Sequence, residues 1–118
     1  MTLDDAKELL VAATLRGHPQ RFFGMHSTPL ISGDCAAGVL HLSLHETQEQ
    51  ALACQDPFYE VIKAFQLDQP SVCPLCSSIG FSTTFNLGNL IVHLNDTHGF
   101  DFLTIARKLP DGPTDRSV

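Results

Sequence analysis

Cys73, Cys76, His93 and His98 stand in the order C-x2-C-x16-H-x4-H, with the cysteines as Cys73-Pro74-Leu75-Cys76. Thiolate and imidazole are the ligands zinc takes, and two on a tight turn plus two on a helix can close a tetrahedron around one ion. All four positions are then protein, which leaves none for a reacting water. The spacing therefore predicts a structural Zn2+ rather than a catalytic one. The sixteen residues between Cys76 and His93 exceed the about twelve of the common ββα finger. His93 and His98 are five apart, or about 500° of ideal helix, so they share a face poorly. Both reach one metal only if the helix loosens near Asp96-Thr97, and Gly99 offers an end there. Asp96, three after His93, is a second-choice oxygen ligand. Without a metal, the same residues would be buried thiols and surface histidines.

Other reactive side chains carry weaker signals. Cys35 follows Asp34 at a predicted helix start, where the helix dipole can lower a thiol pKa. The neighbouring Ala36 and Ala37, and the opposing charge of Asp34, favour a small buried core thiol instead. His41 and His45 are four apart on one predicted helix, a possible metal pair, but the sequence shows no third ligand. Solvated or capping histidines are the plainer reading. Cys54 reads as core; Phe22, Phe23 and Met25 could form a sticky surface, but core is the plainer reading.

Thr2 and Asp5 form a capping box, and Leu3, Ala6, Leu9, Leu10 and Ala13 recur at helical spacing, so a helix is predicted over 3–16. Residues 18–33, with Arg21-Phe22-Phe23 and two turn signals, read as a strand or a hairpin. Asp34 is expected to cap a helix to about Leu44, with Cys35-Ala36-Ala37-Gly38 as a small face for close packing. Thr47 and Gln50 predict a short helix to about Cys54. Asp56-Pro57 opens another that ends near Leu67. Two short strands are expected within Ser77–Phe85. Asn86 should cap a helix from Leu87 to about His98, and Asp101 a final one through Leu109. The fold class is α+β, mainly helical: N-terminal helices with a short strand or hairpin, then a zinc-finger-like ββα module and a final helix. Gln69-Pro70 divides a helical region, 1–68, from the module, 69–110. Residues 111–118 read as a loose tail, and the whole as one compact unit.

The 118 residues carry a net charge of −6. Of this, −5 falls on residues 1–68 (nine acids, four bases) and −1 on residues 69–118 (four acids, three bases). No Lys or Arg occurs from Ala64 to Ala106, which spans the metal motif. Nucleic-acid affinity is largely phosphate neutralisation by Lys and Arg, so the charge disfavours nucleic acid as the partner. No apolar run is long enough for a membrane span. The acidic N-terminus lacks the pattern of a secretory signal, and the thiols are expected to be reduced in the cytoplasm.

The stretch Cys73-Pro74-Leu75-Cys76 … Ile91-Val92-His93-Leu94-Asn95-Asp96-Thr97-His98 … Ile105-Ala106 … Leu109 resembles small bacterial and phage proteins of no established function. These share a CPxC turn, an HLND-x-H segment and a short amphipathic helix. Gly33-Asp34-Cys35-Ala36-Ala37-Gly38 is similar to a Cys-Ala segment nearer their N-termini. Phe100 and Lys108 stand where those proteins often have Trp. The resemblance implies a bacterial or phage origin and a shared small fold, and it brings no activity.

The expected function is a small non-catalytic zinc-binding interaction or regulatory protein with a protein partner and no membrane. Two alternatives stand beside it. One is a nucleic-acid-binding transcriptional regulator using the finger helix, with Asn86, Asn89 or Asn95 reading bases and Arg16, Arg21, Arg107 and Lys108 converging on phosphate. The other is a small thiol enzyme using Cys35 with His41 or His26. Neither the oligomeric state nor the partner's identity follows from the sequence.

Overall fold

The computed structural model describes residues 2–22, 33–80 and 84–110. Helix α1 (Leu3–Leu15) opens on the expected reciprocal cap. The Asp5 N–H donates to Thr2 Oγ1 at 3.4 Å, and the Thr2 N–H donates to Asp5 Oδ2 at 2.8 Å. Asp5 thus fills the place usually taken by Glu. Leu3, Ala6, Leu10 and Ala13 form its buried stripe.

Helix α2 (Ala36–Leu42) departs from expectation at both ends. Its cap is Cys35, whose Sγ accepts from the Gly38 N–H at 3.4 Å. Asp34 sits one residue too early to cap. Its backbone is held extended in a parallel bridge with Gln20, through Arg21 N–H to Asp34 O and Asp34 N–H to Pro19 O, both 3.0 Å. Its carboxylate turns instead to His18 Nε2 at 2.8 Å. Gly33 makes this crossing possible. It has φ +99°, and a Cβ there would lie 3.0 Å from Gln20 C and Pro19 O. At the other end α2 stops two residues before Leu44, as Ser43 Oγ donates to the Leu40 carbonyl at 2.6 Å and the chain tightens into three-residue turns.

Helix α3 (Gln48–Leu52) is capped by Thr47 as expected, with the Gln50 N–H on Thr47 Oγ1 at 3.2 Å. The Gln50 side chain reaches back one residue further than a capping box, to the Glu46 N–H. Helix α4 (Pro57–Phe65) has Asp56 as its cap and Pro57 in its first turn. It ends two residues before Leu67, where Gln66 turns left-handed at φ 57°.

Of the two strands expected within Ser77–Phe85, one begins at Thr84, residues 77–80 form no strand, and residues 81–83 lie outside the described residues. Strand β1 (Pro70–Val72) precedes the cysteines, helix α5 (Pro74–Ser78) carries Cys76, and β2 (Thr84–Asn86) follows. The two strands pair antiparallel, Pro70 opposite Asn86 and Val72 opposite Thr84. Pro74 in a first helical turn favours helix over strand here. The Ser77 and Ser78 hydroxyls donate to the carbonyls of Pro74 and Leu75 at 3.4 and 2.7 Å, closing the turn. Helices α6 (Leu87–Asp96) and α7 (Phe102–Lys108) then start on the predicted caps, Asn86 and Asp101.

Among the described residues, seven short helices and one two-stranded sheet make a mainly helical α+β fold. One hydrophobic core draws on Leu10, Leu40 and Phe65 before Gln69-Pro70 and on Leu90, Leu94 and Ile105 after it. Helix α1 packs on α7 and α2 on α4, while α6 touches α2, α4, α7 and both strands. The expected hairpin falls largely on residues 23–32, outside the described residues, as do Phe23, Met25, His26 and the tail 111–118.

Asn95 on α6 is fully buried. Its Oδ1 accepts from the Ala36 N–H at 3.0 Å and from Gln20 Nε2 at 2.9 Å, and its Nδ2 donates to Arg21 O at 3.0 Å. Removing this amide orphans a buried N–H, which costs about 1–3 kcal/mol. Asn95→Ala should therefore lower stability by about 2–3 kcal/mol, read from the urea midpoint of the metal-loaded protein. A loss too small to measure would show that the amide does not tie these segments together.

Candidate metal centre

Each predicted ligand is placed by a different local device. Cys73 follows β1 directly and is buried, while Cys76 lies one turn on in α5 and is half-buried. His93 occupies the last turn of α6, and His98 lies beyond its cap, Thr97. The loosening that the spacing demands is present. The His93 carbonyl accepts the Thr97 N–H at 2.9 Å and also the His98 N–H, five residues on, at 3.3 Å. A five-residue bond closes a wider turn than an α-helical one and brings residues five apart onto one side. The two imidazoles meet there, with Nε2 atoms 3.1 Å apart and rings at 85°. Gly99, at φ +65°, then turns the chain away.

Aromatic rings hold both imidazoles from behind. Phe85, on β2, lies 4.8 Å from the His93 ring, and Phe100 stacks on His98 at 5.5 Å with an interplanar angle of 14°. The short sheet thus has a definite task, as its register brings Phe85 to His93.

The donor atoms all lie within 4.8 Å of one another. Cys73 Sγ is 3.4 Å from His98 Nε2, and Cys76 Sγ is 3.5 and 3.6 Å from His93 and His98 Nε2. A tetrahedral ion with bonds of about 2.3 Å to sulfur and about 2.05 Å to nitrogen has S–N edges of about 3.5 Å and an N–N edge of about 3.3 Å. The observed edges match within a few tenths of an ångström, so the four side chains can hold a metal ion.

The electrostatics favour a cation at the same point. Burial, together with the neighbouring Cys73, pushes the Cys76 thiol up. Burial and then His98 push His93 down. The Cys76 sulfur resists becoming a thiolate, and the His93 imidazole resists becoming a cation. A divalent ion among them reverses the first cost and needs the second group neutral. Asp96 stands outside the group, and its Oδ1 accepts from Asn95 Nδ2 at 2.7 Å.

The remaining sequence candidates fall out differently. Cys35 is buried and its thiol is pushed up, chiefly by burial and further by Asp96 and Asp34, while backbone N–H groups at Gly38 and Ala37 oppose this. Cys54 is half-buried rather than core, and it lines an open groove with Tyr59, Glu60 and Lys63. Phe22 is exposed, not core. Two asparagines offered for base reading are otherwise engaged. Asn95 is buried, and Asn86 Oδ1 accepts from the Asn89 N–H at 2.7 Å as the α6 cap. His41 and His45 gain a neighbour that sequence spacing missed, Glu60 of α4. No periodicity links a residue after α2 to one on α4, so nothing in the sequence announces the trio.

Among the described residues no helix is long and apolar enough to cross a membrane. No protein-family model, curated protein or solved structure matches the chain.

Helix α5 buries no residue, and the strands pair only with each other. The segment meets α6 through the strands, Phe85 and the Leu87 and Gly88 N–H groups on the Gln69 and Leu67 carbonyls, and a metal on the four side chains would add a further tie. Hydrogen exchange in the presence of a chelator should thus lose protection first over residues 70–80 and 84–86, while Leu90, Leu94 and Ile105 keep theirs. Simultaneous loss in α1 and α7 would mean that the metal holds the whole core.

Proposed function

We propose that the protein is a small non-catalytic binding or regulatory protein in which zinc fixes the β1–α5–β2 segment on α6. The observation that carries this reading is the tetrahedral spacing of two sulfurs and two imidazole nitrogens. Mixed thiolate and imidazole donors in a tetrahedron suit zinc among the common divalent ions. Four protein ligands leave no open position for a water or a substrate, which is the mark of a structural site.

A protein is the favoured partner. The segment from Ala64 to Ala106 holds no Lys or Arg, and the net charge is −6. Phosphate would be repelled rather than gathered. Val72 and Ile79, flanking the cysteines, are 41% and 72% exposed, giving this uncharged surface apolar points of contact. A phage or prophage setting, implied by the resemblance of the CPxC and HLND-x-H segments, fits a small acidic chain that presents negative charge to a host protein. The nucleic-acid reading would have to rely on Asn89 and on Arg16, Arg21, Arg107 and Lys108, of which Arg16, Arg107 and Lys108 are exposed.

Protein purified without added metal should contain one zinc per chain at this site, and the Cys73→Ser/Cys76→Ser variant should lose it, both by elemental analysis. Absence of zinc together with an unchanged fold in the variant would remove the reading. In fluorescence-anisotropy titrations at about 150 mM salt, a near-physiological ionic strength, DNA and RNA should bind weakly and without sequence preference. Sub-micromolar, sequence-dependent binding would instead establish the transcriptional alternative.

A further inference from the structure

His41, His45 and Glu60 converge at a second point. His41 lies in the last turn of α2, and His45 lies in the turns that continue it. Glu60 lies in α4, which packs against α2. The His41 and His45 Nε2 atoms both approach one oxygen, Glu60 Oε1, at 3.0 and 2.5 Å. The two rings stand at 65° with centroids 4.9 Å apart, and the three donor atoms lie within 4.8 Å of one another.

We propose that His41, His45 and Glu60 form a second metal site, which takes a divalent transition ion on two imidazoles and one carboxylate and leaves a further position open. Two histidines and a glutamate are a donor set used for zinc with an open coordination position. Imidazole with carboxylate also suits the other first-row divalent ions. The burial is graded in the way such a site needs. The His41 side chain is fully buried and fixed, while those of His45 and Glu60 are 21% and 37% exposed. An ion can therefore enter from solvent and keep a water. A tetrahedral ion requires N–O edges of about 3.3 Å, so from 3.0 and 2.5 Å Glu60 must draw back by about 0.3 Å from His41 and about 0.8 Å from His45, and its exposure allows that. Glu60 also lines an open groove of about 610 Å³ with Cys54, Asp56, Tyr59 and Lys63. The site thus borders a space that a further ligand could occupy. This proposal is independent of the zinc reading at the cysteines.

Without a metal the trio is a clamp between α2 and α4, with the carboxyl of Glu60 held below its usual range first by the hydrogen bond from His45. Co2+ titration of the full chain, starting metal-free, separates the two roles. The cysteine site should give a sulfur-to-cobalt charge-transfer band. The second equivalent should add weaker visible absorption without that band. His45→Ala and Glu60→Gln should each weaken the second equivalent alone. Even supporting residues around a metal contribute about 10–100-fold in affinity, so loss of a ligand should cost ~10-fold or more. The charge-transfer band of the first equivalent reports that both variants remain folded. In the unaltered chain, the ring resonances of His41 and His45 should move with the second equivalent of Zn2+. Binding of a single equivalent, or a second that ignores both substitutions and leaves these rings unmoved, would overturn the proposal. Absence of the charge-transfer band would count only against the cysteine site.

Discussion

One buried amide sets the position of α6, and the rest of the molecule is arranged around that helix. Asn95 accepts from the Ala36 N–H at the start of α2 and from the Gln20 side chain, and it donates to the Arg21 carbonyl. Gln20 in turn donates to the Phe100 carbonyl at 2.7 Å, beyond the end of α6. Segments 75 and 80 residues apart are joined at a single point. A hydrophobic side chain at 95 would leave the Ala36 N–H without its acceptor in the interior, where such a group is costly. Leu90, Ile91 and Leu94 supply the apolar burial of α6, but burial is indifferent to small rotations. The amide, with its directed donors and acceptors, selects one rotation.

That choice decides the metal centre. With Asn95 and Leu94 inward, His93 lies on the flank of α6 that meets β2, and Phe85 backs its ring. The widened turn after Asp96 then carries His98 to the same side. The core orients two ligands before any ion arrives. The cysteines come from a segment with little burial of its own apart from Cys73. Binding energy at a structural zinc is folding energy. A zinc bound here would act where hydrophobic burial is scarce, and would stabilise a different part of the chain from the core.

Much of this was legible from the sequence where the governing bonds are local. Thr2, Thr47, Asp56, Asn86 and Asp101 all cap the helices they were expected to cap, because a cap joins a side chain to a backbone N–H only three residues away. The metal quartet was legible because spacing alone constrains a turn and a helix end. The first of the two expected strands is misplaced for an equally local reason. Ser and Thr suggested extended chain after Cys76, yet serine hydroxyls bonding back to carbonyls closed a helical turn. Asp34 was misread as a cap, since its extended backbone is fixed by Gln20 fourteen positions earlier, across Gly33. Asn95 and Glu60 could not be read at all. Their partners lie on other elements, and neither periodicity nor composition records which helices meet.

The histidines show the same division. His93 and His98 have a purpose visible from their own spacing to two cysteines. His41 and His45 looked unremarkable, because a pair of imidazoles four residues apart acquires chemistry only from what packs against it. Helices α2 and α4 pack on one another, and Ala36, Val39, Val61 and Phe65 all belong to the one buried core. That packing carries Glu60 to the histidines as a by-product. If a metal binds there, it does so on elements held by the core, unlike the cysteine segment, in which little besides Cys73 is buried. With metal bound, the two centres would differ in kind: one would tie down a sparsely buried segment, and the other would exploit helices packed on the core.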